Sequence, residues 1–328
     1  MYNEILNDSK YDFIREGRFV NENKICLLTV GGYQSYGIDL NEKLSAIPLR
    51  GVCLNSIGEI ESNKYRNKPF VYSGYDATIY HLDQFINRLI KCQPEVVNMF
   101  GVRDEDILMI TEEGKLLKDN IDLFLNRYDV YRSFRGCTLS IKKDLCKLIA
   151  KCNGFTQEDK EKSLMSSMYD VIKTNKKLNQ NINLYLNNGQ VMIDIDVKGY
   201  SFKKFKNIIN IMGNELKRYN NLNSTSTTVK KRDKIKILKY SIDIINTYLI
   251  GIDLLSSGKL NVYRGDNGLI KGVLNENYSY DEILNIINML DKEFIEASRY
   301  SVLQEDPNQD KINELVDELN RRVLNDEV

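Results

Sequence analysis

Residues Lys24–Leu54 read KICLLTVGGYQSYGIDLNEKLSAIPLRGVCL. The run Lys24–Val30 is apolar almost throughout, the pattern of a buried strand, and it stops at Gly31-Gly32. Ile47–Leu54 repeats the pattern and predicts a second strand. Downstream, Ala77–Tyr80 predicts a third, feeding an amphipathic helix over Leu82–Lys91. Upstream, the first twenty residues predict a short amphipathic helix with Ile5, Tyr11, Phe13 and Ile14 facing inward. Strands alternating with helices around a glycine turn indicate an α/β (α+β) domain over residues 1–115.

Residues 116–328 read as mainly helical. The exception is Ile182–Val197, two alternating runs around Asn188-Gly189, a type I′ hairpin signal. A basic helix is expected at Phe202–Tyr219 and a linker at Asn220–Thr228. A long helix follows at Lys231–Ser256, then a short strand near Leu260–Arg264. Helices at Tyr280–Ser298 and Asp310–Leu324 complete the pattern.

Composition narrows the function classes. Of 328 residues, 42% are hydrophobic, enough for a sizeable core, and no apolar run approaches a bilayer span. The start, MYNEILNDSK, lacks a basic stretch ahead of an apolar one, so a cytoplasmic protein with no membrane partner is expected. The six cysteines are scattered, with no C-x-x-C pair, and read as reduced thiols. The single histidine, His81, excludes a histidine-cluster metal site and reads as structural. With 46 basic and 46 acidic residues, nucleic acid meets no long-range attraction, so RNA would need a local patch. Val229–Lys239, with Lys203, Lys204 and Lys206, is the basic candidate; its ordinary reading is a solvated face.

The order of motifs carries a resemblance. A strand ending in Gly31-Gly32, then Tyr36-Gly37, then Leu49-Arg50-Gly51-Val52, then DATIYHLDQFINRLIKCQPEVVNMF from Asp76, resembles the DNA polymerase β-type nucleotidyltransferase superfamily. The similarity is to its RNA-repair-pathway branch and extends to SSGKLNVYR at Ser256–Arg264. That resemblance implies a polymerase β-like core. It implies a glycine turn whose backbone amides approach a triphosphate, and an Asp-x-Asp pair whose carboxylates share one strand face and hold two Mg²⁺. Asp76 falls at the third-carboxylate position, which would make it catalytic and metal-binding. Gly31, Gly32, Tyr36, Gly37 and Arg50 would face the nucleotide.

The departures fall on the chemistry. Where the resemblance calls for Asp-x-Asp, the chain has Ala46-Ile47-Pro48, and neither flanking side chain can ligate Mg²⁺. A glutamate expected after Pro94 is Asn98, and basic and histidine positions of the late helix fall on Asp243 and Asn246. Bland readings stand beside the sharp ones: a strand-end turn for Gly31-Gly32, a structural ion pair for Arg50, a solvated carboxylate for Asp76. Asp194-Ile195-Asp196 is a true Asp-x-Asp far from the glycine turn, and reads as a solvated hairpin face. The resulting expectation is a catalytically inactive nucleotidyltransferase fold that binds a nucleotide, an RNA end or a protein partner. The alternatives are an active enzyme using Mg²⁺ and NTP through Asp76, and a protein-interaction or inhibitor module on the same scaffold.

Overall fold

The computed structural model of the protein describes residues 9–15, 24–38, 47–66, 68–72, 76–153, 182–187, 190–195 and 231–325, with isolated helical positions at 206, 210 and 213. The fold is α+β: a five-stranded mixed sheet and a mostly helical C-terminal region. The strands are β1 (Ile25–Val30), β2 (Leu49–Cys53), β3 (Phe70–Tyr72), β4 (Ala77–His81) and β5 (Ile107–Ile110), in the order β3-β4-β2-β1-β5. A separate antiparallel hairpin pairs β6 (Ile182–Asn187) with β7 (Gln190–Ile195), in register from Ile182↔Ile195 to Asn187↔Gln190. The helices are α1 (Asp12–Arg15), α2 (Gly32–Ser35), α3 (Ile57–Ser62), α4 (Leu82–Ile90), α5 (Pro94–Val97), α6 (Glu112–Asp119), α7 (Arg127–Asn153), α8 (Lys231–Ser257), α9 (Gly268–Leu274), α10 (Tyr280–Arg299) and α11 (Gln309–Asn325).

The chain divides into two compact units. One comprises Met1–Lys142 with Leu238–Val328, the other Lys143–Ile237. The sequence boundary at residue 115 falls inside the first unit. The hairpin belongs to the second, which also takes in the basic helix at Phe202–Tyr219 and the linker at Asn220–Thr228; those two lie outside the described residues apart from positions 206, 210 and 213.

In the first unit β1 is buried along its whole length because it has strands on both sides, β2 and β5, both antiparallel. β2 runs parallel to β4, with Leu49 opposite Ala77 and Arg50 opposite Thr78. A parallel pair needs a crossover, supplied here by α3 and the return through β3, which pairs antiparallel with β4. Gly51 sits where a Cβ would come within 3.1 Å of Leu28 and 3.3 Å of Ile79, so the β2 backbone packs closely. Tyr11 and Ile14 pack with Leu28, Leu49, Cys53 and Ile79, and the Tyr11 hydroxyl accepts the Ile47 amide at 2.9 Å. The N-terminal helix therefore steadies the entrance to β2.

α4 buries Leu82, Phe85, Ile86 and Leu89, one face at helical spacing. Farther on, α8 and α10 approach closely at Gly251, where a Cβ would lie 2.5 Å from the Phe294 ring. Arg135 of α7 forks onto Asp291 of α10 at 2.8 and 3.2 Å, and the Tyr248 hydroxyl of α8 joins the same carboxylate at 2.9 Å. Three helices are thereby tied at one carboxylate, which Arg135 holds below its ordinary range.

One expected element is absent. Leu260–Arg264 forms no strand and joins no sheet; its amides at Val262 and Arg264 donate singly to Gly101 O and Tyr36 O. Among the described residues, no helix is long and apolar enough to cross a membrane.

Candidate functional site

The turn after β1 is shaped by close approach to the entrance of β2. Gly31 is extended, and its amide donates to Pro48 O at 2.8 Å. Gly32 has φ +61, left-handed backbone that favours glycine. A Cβ on Gly31 would stand 2.9 Å from Arg50 Cγ, and one on Gly32 3.3 Å from Pro48 Cγ. Gly37 is also left-handed, at φ +72, and a Cβ there would fall 2.1 Å from a Tyr263 ring carbon. Gly37 is thus fixed by packing under Tyr263, beside the backbone bond from Arg264 N to Tyr36 O.

Arg50 and Asp76 are brought together by the β2–β4 register. One step before Leu49↔Ala77, Asp76 lies beside Pro48, and its carbonyl accepts the Leu49 amide at 3.0 Å. Arg50 Nη1 donates to that same carbonyl at 2.8 Å, and Nη2 lies 3.2 Å from Asp76 Oδ1. Arg50 Nε stands 3.5 Å from Glu95 Oε1. The guanidinium is largely covered, whereas the Asp76 carboxylate is 59% exposed.

These residues do not fit a Mg²⁺ pair. Pro48 offers no side-chain oxygen, and its carbonyl already takes the Gly31 amide. Ala46 lies outside the described residues. Asp76 faces a guanidinium, beside which a second cation would be repelled. Among the described residues, no group of three or more His, Cys, Asp or Glu side chains could hold a metal ion.

A cavity of about 210 Å³ opens beside the Gly31-Gly32 turn. Its walls include Tyr36, Arg50, Glu95, Asn98, Cys137 and Asp243, drawn from the β1–α2 turn, β2, the α5 region, α7 and α8. Burial pushes Asp243 up to about 6, although the Tyr33 hydroxyl donates to its Oδ2 at 2.9 Å and Lys239 is nearby. Burial, with the Asp243 charge close by, pushes the Tyr36 phenol up to about 12, so it stays neutral at neutral pH. The Cys137 thiol is also raised, first by burial and then by Asp243 and Glu95, so it is a poor nucleophile. The Asn98 Oδ1 atom is buried and accepts no hydrogen bond among the described residues.

Gly31, Gly32, Tyr36 and Arg50 all line this cavity; Gly37 and Asp76 stand outside it. Sequence reasoning passed over Glu95, Cys137 and Thr247 as site residues, and took Asn98 and Asp243 only as departures. Asp243 did carry a signal, a carboxylate set among Ile242, Ile244 and Ile245, all fully buried.

Two other candidates resolve differently. His81 is buried, with its Nδ1 3.6 Å from Cys53 Sγ. Burial pushes that thiol up to about 12 and lowers the imidazole, leaving a neutral, unreactive pair. Asp194 and Ile195 lie on β7 of the second unit, while Asp196 is outside the described residues. Of the basic stretch, Arg232, Lys234 and Lys236 are exposed on the first turns of α8. No family model, curated protein or solved structure matches the chain.

Proposed function

We propose that this chain is a polymerase β-type nucleotidyltransferase fold that binds a nucleotide or an RNA end without transferring one. The reading is supported by the spatial order of the motifs. A glycine turn ends β1, β2 begins beside it, and the parallel β4 delivers Asp76 next to position 48. The observation that carries the loss of transfer is the Arg50–Asp76 pair. Where two-metal chemistry needs converging anionic oxygens, this strand end presents a guanidinium engaged with the remaining carboxylate. The cavity beside the turn provides a concave seat lined by a few polar groups.

The test uses the full-length protein with each of the four NTPs and a short RNA oligonucleotide, in Mg²⁺ or in EDTA. Thermal stabilisation is expected in both buffers, a ligand at about 100 times its Kd adding about 2.7 kcal/mol. Labelled NTPs should give no transfer product. Mg²⁺-dependent turnover that Asp76→Ala abolishes would overturn the reading, as would the absence of any stabilisation.

A further inference from the structure

Glu95 stands between two arginines. Its Oε1 is 3.5 Å from Arg50 Nε and its Oε2 is 4.0 Å from Arg88 Nη1. The three side chains come from β2, the last turn of α4 and the first turn of α5. Both guanidiniums are held in place by other contacts. Arg50 Nη1 and Nη2 are committed to Leu49 O and Asp76, which leaves Nε facing Glu95. Arg88 lies over the Tyr80 ring, 5.2 Å from its centroid, and donates through Nη1 to Gln93 Oε1 at 3.0 Å. Glu95 is held less firmly. Both of its separations exceed the roughly 2.7–2.9 Å of a charge-assisted hydrogen bond. Its side chain is also 48% exposed, and pairs so exposed contribute little to the fold. Arg50 and Glu95 both line the cavity beside the Gly31-Gly32 turn, so a ligand there can reach the carboxylate.

We infer that Arg50 and Arg88 form a seat for a phosphate group, and that the Glu95 carboxylate fills it in this structure as an internal competitor. This rests on the nucleotide-binding reading above and adds where the phosphates go. A phosphate offers a guanidinium the same paired anionic oxygens as a carboxylate, and arginine binds both. Arg50, Arg88, Asp76 and Glu95 together carry no net charge; with Glu95 turned out to solvent, the other three carry one positive charge. A nucleotide held without metal needs its cations from the protein, and this pair supplies them. Asp76 stays on the Nη atoms of Arg50, so opening the seat breaks only the contacts of Glu95.

Isothermal titration of the full chain in EDTA with ATP, pyrophosphate and adenosine tests the seat. The proteins are wild type, Glu95→Gln and Arg88→Gln, each checked for folding by circular dichroism. Glu95→Gln keeps the shape and removes the competing charge, so ATP and pyrophosphate are expected to bind on the order of tenfold tighter than to wild type. Arg88→Gln should weaken both by about tenfold. Adenosine, which lacks a phosphate, should respond to neither change. If Arg88→Gln unfolds, Glu95→Gln alone decides. ATP bound no more tightly by Glu95→Gln than by wild type would overturn the seat and leave the nucleotide reading standing. A folded Arg88→Gln that binds ATP like wild type would do the same, as would an equal response from adenosine. Pyrophosphate following the variants as expected, with neither ATP nor adenosine bound, would support the seat and overturn the nucleotide reading. Failure of all three probes to bind any of the proteins would overturn both.

Discussion

Arg50 and Asp76 meet across the parallel β2–β4 seam, the guanidinium donating to the Asp76 carbonyl at 2.8 Å and lying 3.2 Å from its carboxylate. A backbone oxygen and a side-chain oxygen of one residue are thereby held by one side chain. The contact also fixes an unusual backbone: Asp76 has φ +45, left-handed territory that an L-residue enters at a cost of roughly 1–2 kcal/mol.

Two substitutions separate the pair from the backbone. Asp76→Ala loses the ion pair and keeps the strained φ; with the carboxylate largely exposed, the loss is expected at about 0–1 kcal/mol. Asp76→Gly loses the same pair but relieves the left-handed penalty, so it should be more stable than Asp76→Ala by about 1 kcal/mol. Urea denaturation of both variants reads the difference. Equal midpoints would mean that φ +45 is not strained in the folded chain.

Gly37→Ala should be among the most damaging single changes near the site. The added methyl would overlap the Tyr263 ring at a left-handed position, so overpacking and backbone strain combine, for about 2–4 kcal/mol. Tyr263→Ala in the same background should recover the overlap part and leave the backbone part. A double-mutant cycle in urea measures that coupling; strict additivity would show that the two residues do not touch.

Asp243 gives the chain a pH response with a definite sign. Its folded value, about 6, lies above the ordinary 3.8, so protonation favours the folded state. The contribution is present below about pH 4 and is lost as pH rises through 6. At about 1.4 kcal/mol per pH unit this amounts to at most about 3 kcal/mol. The groups facing the carboxylate are Tyr33 and Tyr36 near α2, Cys137 of α7 and Lys239 one turn earlier on α8, with Glu95 and Arg50 elsewhere in the cavity wall. Asp243→Asn should therefore stabilise the protein at pH 7.5 by about 1–3 kcal/mol and flatten the profile between pH 4 and 6. A variant less stable than wild type at pH 7.5 would refute the assignment.

Long periodic segments were legible in the sequence. β1, β2, β4, α4, α8, α10 and α11 all appear close to the expected bounds, because each repeats its pattern often enough to be read. The short pieces were not. β3 has three residues and lies on the sheet edge, and β5 is a four-residue apolar run that suits a helix equally well. Leu260–Arg264 has the alternation of a strand, yet Leu260 and Val262 pack against Gly101 instead of pairing in the sheet. Much the same divides the site. Gly31, Gly32 and Arg50 lie within twenty residues of one another and read as a motif. Glu95, Cys137 and Asp243 converge only through tertiary packing, which no local pattern encodes.

The cavity wall runs from Thr29 to Thr247, so its two sides are made far apart in time. During synthesis the strands leave the ribosome first, and residues 143–237 must emerge before α8 can return to them. Until then the apolar surface that α8 will cover stands open. A premature stop anywhere ahead of Asp243 would yield strands without a chamber.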